Sequence, residues 1–214
     1  MNKILVVGQN SFVAQHFIAT SEMYGLTLDV CSHSNIPDDL NVYGWIINFS
    51  INPKMFSEHY SISFDQDYLI SHKMSGNTQA RFVMISSRRV YPCDNLTLPL
   101  IESSTVEITN QNQYGLNKIK SEREVRGNLA ADKLLILRAS NIFGLEAGRH
   151  TFMGMAQQRL MDKNQILLDM DGATIRDFIP VDYFCVCLIE LMKNNASGMY
   201  NIGSGQEITV NEIC

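Results

Sequence analysis

A phenol and an ammonium stand four residues apart in Tyr114-Gly-Leu-Asn-Lys118. On a helix these positions share one face, one turn apart. A lysine charge there favours the phenolate. The tyrosine's pKa is therefore expected to fall, and Tyr114 to work as a general acid or base near neutral pH. Ser87 follows the aliphatic run Phe82 to Ile85, at the kind of strand tip where open parallel sheets bind ligands. Its hydroxyl can hold a reacting oxygen beside Tyr114. The Tyr–Lys spacing also fits two solvated helix residues. Order gives it weight, because a glycine turn and a strand-tip serine precede it.

That turn is Gly8-Gln-Asn-Ser-Phe-Val-Ala14, between an aliphatic run and a helix-length segment. A dinucleotide fold needs a tight turn here, close backbone approach to a pyrophosphate, and close helix–strand packing. Gly8 meets the first need, and Ala14 is tolerated at the third. Ser11 replaces the middle glycine; its hydroxyl either donates to a phosphate oxygen or caps the helix. A plain strand–turn–helix with no ligand fits the same residues. The candidate cofactor contacts at the turn are Gly8, Asn10, Ser11, Phe12 and Val13. A ribose-binding carboxylate is expected about 20 residues further on. Counting 24 from Gly8 reaches Ser32, followed by His33, and Asp29 lies too early. Without a carboxylate at this tip a 2′-phosphate is not repelled, and Ser32 and His33 can bind it. The cofactor thus leans from NAD toward NADP.

The elements that must position these groups alternate. Aliphatic runs predict strands at 4–7, 26–31, 45–49, 81–86 and 133–138. Helices are expected at 11–24, 53–74 and 114–128, and loops over 32–41 and most of 92–113. Strands that read as unbroken apolar runs belong to a parallel sheet covered on both faces. The last third predicts helices at 151–161 and 181–193, short strands at 166–168 and 199–202, and a helix beginning at Val210.

The 214 residues carry 17 Lys and Arg against 22 Asp and Glu, a net charge of −5. That excludes a generally basic nucleic-acid binder. An apolar content of 45 %, with 10 Phe and 8 Tyr, excludes disorder. No export signal opens the chain, and no run nears the ~18 apolar residues of a membrane span. Five cysteines without a CxxC pair point to a reducing cytoplasm. Cys185 and Cys187 read as core packing.

Together these segments resemble the extended short-chain dehydrogenase/reductases, and among them the NAD-dependent epimerase/dehydratase family that works on nucleotide sugars. Seven stretches match in the family's order: 4–14, 45–50, 82–91 (Val-Met-Ile-Ser-Ser-Arg-Arg-Val-Tyr at its end), 114–122, 137–144 (Leu-Arg-Ala-Ser-Asn-Ile-Phe-Gly), 176–182 (Arg-Asp-Phe-Ile-Pro-Val-Asp) and 200–207. The resemblance implies an α/β protein: a Rossmann-like doubly wound parallel sheet over residues 1–145, and a small substrate lobe over 146–214, interleaved with it. It implies that Ser87 is the catalytic serine and Tyr114 the proton-transfer tyrosine. Lys118 becomes the lysine that binds the nicotinamide ribose and tunes Tyr114. Asn48, Phe49, Ser50 and Ser86 fall on strand ends beside the cofactor. Ser87, Arg88, Asn141 and Arg176 fall on substrate positions, with Arg176 reaching the nucleotide diphosphate, a role that suits a guanidinium. His150 falls near another such position but reads as a surface histidine. The implied cofactor is NAD or NADP, with no metal. Family members pair through a four-helix bundle, which predicts a homodimer; Phe56, Tyr60, Phe64 and Tyr68 fit that bundle or simple packing on the sheet.

Three departures stand out. Ser11 replaces a glycine. The stretch before Trp45 is too short for the usual third strand and its helix. The sequence stops at Cys214, where family members continue, so the lobe is expected to be partial.

The family's 4,6-dehydratases carry Asp-Glu after the catalytic Ser/Thr, because elimination needs an extra acid and base. Arg88-Arg89 stands there instead. The 3,5-epimerising members place a Cys two residues before the position of Tyr91; here that residue is Arg89, and Cys93 lies two residues after. There remain 4-epimerisation and 4-keto reduction of a nucleotide sugar, a step of the kind polysaccharide biosynthesis uses. A non-catalytic NAD(P)-binding sensor or interaction protein on the same fold is the alternative. Retention of Ser87, Tyr114 and Lys118 together argues for catalysis.

Overall fold

A computed structural model describes residues 3–76, 79–92, 100–104, 106, 112–146, 149, 151–166 and 171–213. In chain order the elements are β1 (Ile4–Val7), α1 (Phe12–Met23), β2 (Leu28–Cys31), β3 (Trp45–Asn48), α2 (Lys54–Ser57), α3 (Gln66–Met74), β4 (Arg81–Ser87), α4 (Gln113–Asn128), β5 (Leu134–Ala139), β6 (Asn141–Phe143), α5 (Phe152–Lys163), β7 (Ile175–Arg176), β8 (Phe178–Pro180), α6 (Val181–Lys193), β9 (Gly198–Ile202), β10 (Ile208–Thr209) and α7 (Val210–Ile213).

Six strands make one sheet in the order β2-β1-β3-β4-β5-β9, and every pairing is parallel. Side chains alternate faces along a strand, so each aliphatic run feeds two cores. Ile4, Val6, Trp45, Ile47, Val83, Leu135 and Leu137 pack under Phe17 of α1 and Phe184, Leu188 and Ile189 of α6. Leu5, Val7, Ile46, Phe82, Met84 and Ile136 pack under Ile70 and Met74 of α3 and Val125 of α4. Each fully buried side chain of this size contributes about 1.5–3 kcal/mol. The α/β, Rossmann-like doubly wound architecture is as expected. No strand lies between β2 and β3, which matches the shortened stretch there.

The helix expected over 53–74 is two helices. Ser61 and Ser63 bond side chain to side chain in the interruption, and the Tyr60 hydroxyl donates to Asp65 at 2.7 Å. Asp65 then caps α3 by accepting from the Asp67 N–H. Ser11 lies just before α1 as its cap, not inside it. Gly25, at φ +64°, follows α1 in the left-handed region that glycine adopts without strain. The two-strand pairs β6–β8 and β7–β10 were not expected. Segments of two or three residues carry too little periodicity to read. Most of the strand expected at 166–168, together with Cys93, His150 and Cys214, lies outside the described residues. Among the described residues no helix is long and apolar enough to cross a membrane.

Candidate functional site

The strand order reverses between β1 and β3, which is where open α/β sheets take their ligands. Gly8 sits at that point with φ +91°, and a Cβ there would lie 2.6 Å from the Ser50 nitrogen. Its N–H donates to the Cys31 carbonyl at 2.9 Å. One glycine therefore ties together the tips of β1, β2 and β3. The Ser11 hydroxyl accepts from the Ala14 N–H at 3.1 Å. The first turn of α1 holds no acidic residue, so nothing at the helix start repels a phosphate. Asn10 is exposed and Val13 half-buried. Phe12 is engaged elsewhere: the Arg149 guanidinium lies over its ring and its edge fits against Gly144.

Early in β2, before its tip, Asp29 is committed. It accepts from the Lys3 ammonium and the Tyr43 hydroxyl, both at 2.7 Å. Those bonds hold its carboxyl below the usual range, while burial and Asp29 push the Tyr43 phenol up to about 12. Ser32 stands at the tip, bonded to Ser34 at 2.8 Å. A cleft of about 370 Å³ opens here, lined by Gln9, Asp29, Cys31, Ser32 and Asn35. His33, next to Ser32, is exposed.

Asn48, at the end of β3, is buried and saturated. Its carbonyl oxygen accepts from the Ser50 N–H and hydroxyl, and its amide donates to Asp67 at 2.7 Å and to the Ser50 carbonyl. Phe49 packs on Phe17 in the core. Ser86 is buried and donates to Glu122 at 2.6 Å. Glu122 also takes a two-pronged contact from Arg138. The side chains of Asn48, Phe49 and Ser86 thus shape the strand ends from within; Ser50 lies nearer the surface.

Ser87 closes β4, and its hydroxyl accepts from the Arg89 N–H at 3.2 Å. Tyr114 lies in the first turn of α4, whose start Asn112 caps. The Tyr114 ring stacks on Phe56 with centroids 4.7 Å apart. One turn on, Lys118 is buried and donates to Asp67 Oδ2 and to the Ile85 carbonyl, each at 2.8 Å. The expected fall in the Tyr114 pKa does not occur. Burial raises it, and that outweighs the pull of Lys118; Asp67 adds to the rise, and Arg89 opposes it weakly. Lys118 does favour the phenolate, but its charge is already matched. Asp67 holds Lys118 above the ordinary lysine range despite burial.

The candidate substrate residues line two clefts. Arg88 and Arg176 share one of about 510 Å³ with Arg138, Ser140 and Asp177. Asn141 and Arg89 line a second of about 300 Å³ with Glu146 and Thr151. Sequence reasoning did not find Asp67 or Glu146, and it assigned Phe56 to a bundle or to sheet packing, not to the site. Asp67 and Phe56 act through contacts between elements, which a one-dimensional spacing does not display.

The model of the NAD dependent epimerase/dehydratase family matches residues 68–203. No curated protein sequence matches the chain. Among solved structures, the chain is similar to a UDP-N-acetylglucosamine 4-epimerase from Methanobrevibacter ruminantium, with TM-score 0.80, 17 % identity, and coverage of 99 % of this chain and 79 % of that one. It is similar to an NAD-dependent NDP-hexosamine 5,6-dehydratase involved in tunicamycin biosynthesis, with TM-score 0.80, 19 % identity, and coverage of 100 % and 79 %. A dTDP-4-dehydrorhamnose reductase from Clostridium acetobutylicum aligns with TM-score 0.77, 13 % identity, and coverage of 97 % and 76 %. At these identities the likeness is one of fold.

Proposed function

The chain belongs to the NAD dependent epimerase/dehydratase family, and from that premise we propose that it reduces the 4-keto group of a nucleotide sugar, with Tyr114 as proton donor. The observation that carries this reading is the state of Tyr114. Half-buried on α4, stacked on Phe56 and next to an ammonium already paired with Asp67, the phenol is held toward its neutral form. A neutral phenol is the donor that reduction needs. Arg88 and Arg89 stand where 4,6-dehydration wants an acid and a base, which supports reduction over elimination.

The nicotinamide, when bound, supplies the hydride. Ser87 holds the carbonyl oxygen, and Tyr114 delivers the proton to it as the carbonyl becomes an alcohol. Lys118 spends two of its three N–H donors on Asp67 and Ile85, which leaves one for a ribose hydroxyl. The Gly8 turn and the start of α1 receive the pyrophosphate. Ser11 accepts from Ala14 and keeps its own proton for a phosphate oxygen. With Asp29 occupied, Ser32 and His33 would be the residues to receive the adenosine ribose, which supports NADP. Arg88 and Arg176 suit the substrate diphosphate, Asn141 contacts the substrate, and 146–214 apart from α6 and β9, which belong to the sheet domain, forms most of the substrate lobe. A homodimer through α3 and α4 fits Leu69, which α3 leaves 40 % exposed; sedimentation tests it.

Calorimetric titration with NADH and NADPH, followed by turnover of a 4-keto nucleotide sugar, tests the reading. Binding with turnover that Tyr114→Phe abolishes supports it. Interconversion of 4-epimers with no net cofactor oxidation replaces it with 4-epimerisation. Binding without turnover on any such sugar points to the non-catalytic alternative.

A further inference from the structure

The buried pair beneath the tyrosine has a partner on a different helix. Asp67 is on α3, Lys118 is on α4, and each is about 4 % exposed or less. Asp67 accepts from the Lys118 ammonium at 2.8 Å through one oxygen and from the Asn48 amide at 2.7 Å through the other. Burial pushes the Asp67 carboxyl up, and the Lys118 charge and these two N–H donors oppose it, favouring the ionised carboxylate. The Lys118 ammonium is held on its other side by the Ile85 carbonyl at 2.8 Å. Asn48 is itself pinned by Ser50. The chain of contacts runs from the tip of β3, through α3, to the base of the Tyr114 site.

We propose that Asp67 is a positioning residue of the reaction: its carboxylate fixes the Lys118 ammonium in place and cancels its charge, so that Tyr114 stays a proton donor. This rests on the reading of Tyr114 as the reaction's acid and deepens it. Two unit charges in contact at a buried site act on a third group nearly as a neutral pair. Without Asp67, Lys118 would act alone on the phenol and draw it toward the phenolate. The charged and titratable groups facing Tyr114 are Lys118 from its own helix, Asp67 from α3, and Arg89 from the turn after β4. Those facing Lys118 are Asp67, Tyr114 and Asp65. Asp65 is present in native and variant alike, and it accepts from Tyr60.

The test needs neither substrate nor cofactor. The protein is labelled with ¹³C at the tyrosine ring, and Tyr114 is assigned by comparison with Tyr114→Phe. Its titration is followed by NMR in the native chain and in Asp67→Asn, which keeps an acceptor oxygen for Lys118. The midpoint is expected to fall by about one pH unit or more in Asp67→Asn. Coincident midpoints overturn the proposal. Should Asp67→Asn not fold, the Lys118 Nζ resonance of the native protein decides. An ammonium that persists above the ordinary lysine range supports the pair, and one that titrates at or below that range overturns it. A pH profile of turnover adds the functional arm, with the high-pH loss of activity moving to lower pH in Asp67→Asn. Turnover with an unmoved tyrosine titration refutes only the role of Asp67. A moved titration with no turnover refutes only the reductase reading.

Discussion

Phe56 and Tyr114 lie ring against ring, 4.7 Å apart at 18°. Phe56 comes from α2, a helix of four residues, too short to hold itself. Asn117 holds it, donating to the Met55 and Glu58 carbonyls at 3.0 and 2.8 Å. Asn117 is three residues past Tyr114 on α4. The helix that carries Tyr114 also carries the clamp for the ring stacked on it.

Phe56→Ala is therefore expected to lower kcat about 2- to 13-fold, the equivalent of the ~0.5–1.5 kcal/mol of an aromatic pair. Phe56→Tyr should retain most activity. Steady-state kinetics of both variants check this, and an unchanged kcat in Phe56→Ala would show that the ring does not orient Tyr114.

The donor form of Tyr114 is the neutral phenol, present below its pKa. Burial holds that pKa above the usual value near 10. Reductive turnover should then be insensitive to this group from neutral pH upward and fall only above about pH 10. A pH–rate profile on a slow substrate measures it. A loss through pH 7–8 assigned to Tyr114 would mean that the lysine charge is not matched.

Lys118→Met leaves the Asp67 carboxylate buried without its cation. Breaking one side of such a pair costs about 3–5 kcal/mol, whereas removing both sides is often near neutral. Urea denaturation should show a large loss for Lys118→Met that Asp67→Asn, added to it, largely restores. Losses that simply add would show that the two side chains do not interact.

Ser32→Asp places a carboxylate at the tip of β2 beside the ribose position. Repulsion of a 2′-phosphate should shift cofactor preference toward NAD by about 10-fold or more. The ratio of calorimetric affinities for NADPH and NADH reads the shift directly. A ratio that does not move places the adenosine ribose elsewhere.

The sheet was legible because buried parallel strands are short aliphatic runs, as at Ile4–Val7 and Trp45–Asn48. The placement of Ser87 at the end of β4 and of Tyr114 and Lys118 one turn apart on α4 was legible because their order follows the elements that carry them. The direction of the Tyr114 pKa was not. The sequence displays the lysine one turn away, but neither the desolvation of the half-buried phenol nor Asp67, which is 51 residues from Lys118. The break between α2 and α3 escaped for a related reason. The apolar spacing of Phe56, Tyr60, Phe64 and Tyr68 is helical, yet Tyr60 bonds to Asp65 and Phe64 turns into the core.

The most direct measurement is a single turnover of the protein loaded with NADPH or NADH and mixed with a 4-keto nucleotide sugar. Nicotinamide absorbance should decay in stoichiometric amount as the alcohol forms, and Tyr114→Phe should slow the decay about 10²- to 10⁴-fold with cofactor affinity retained. Absence of decay in the native protein, or an equal rate in Tyr114→Phe, would contradict Tyr114 as the acid of a reductase.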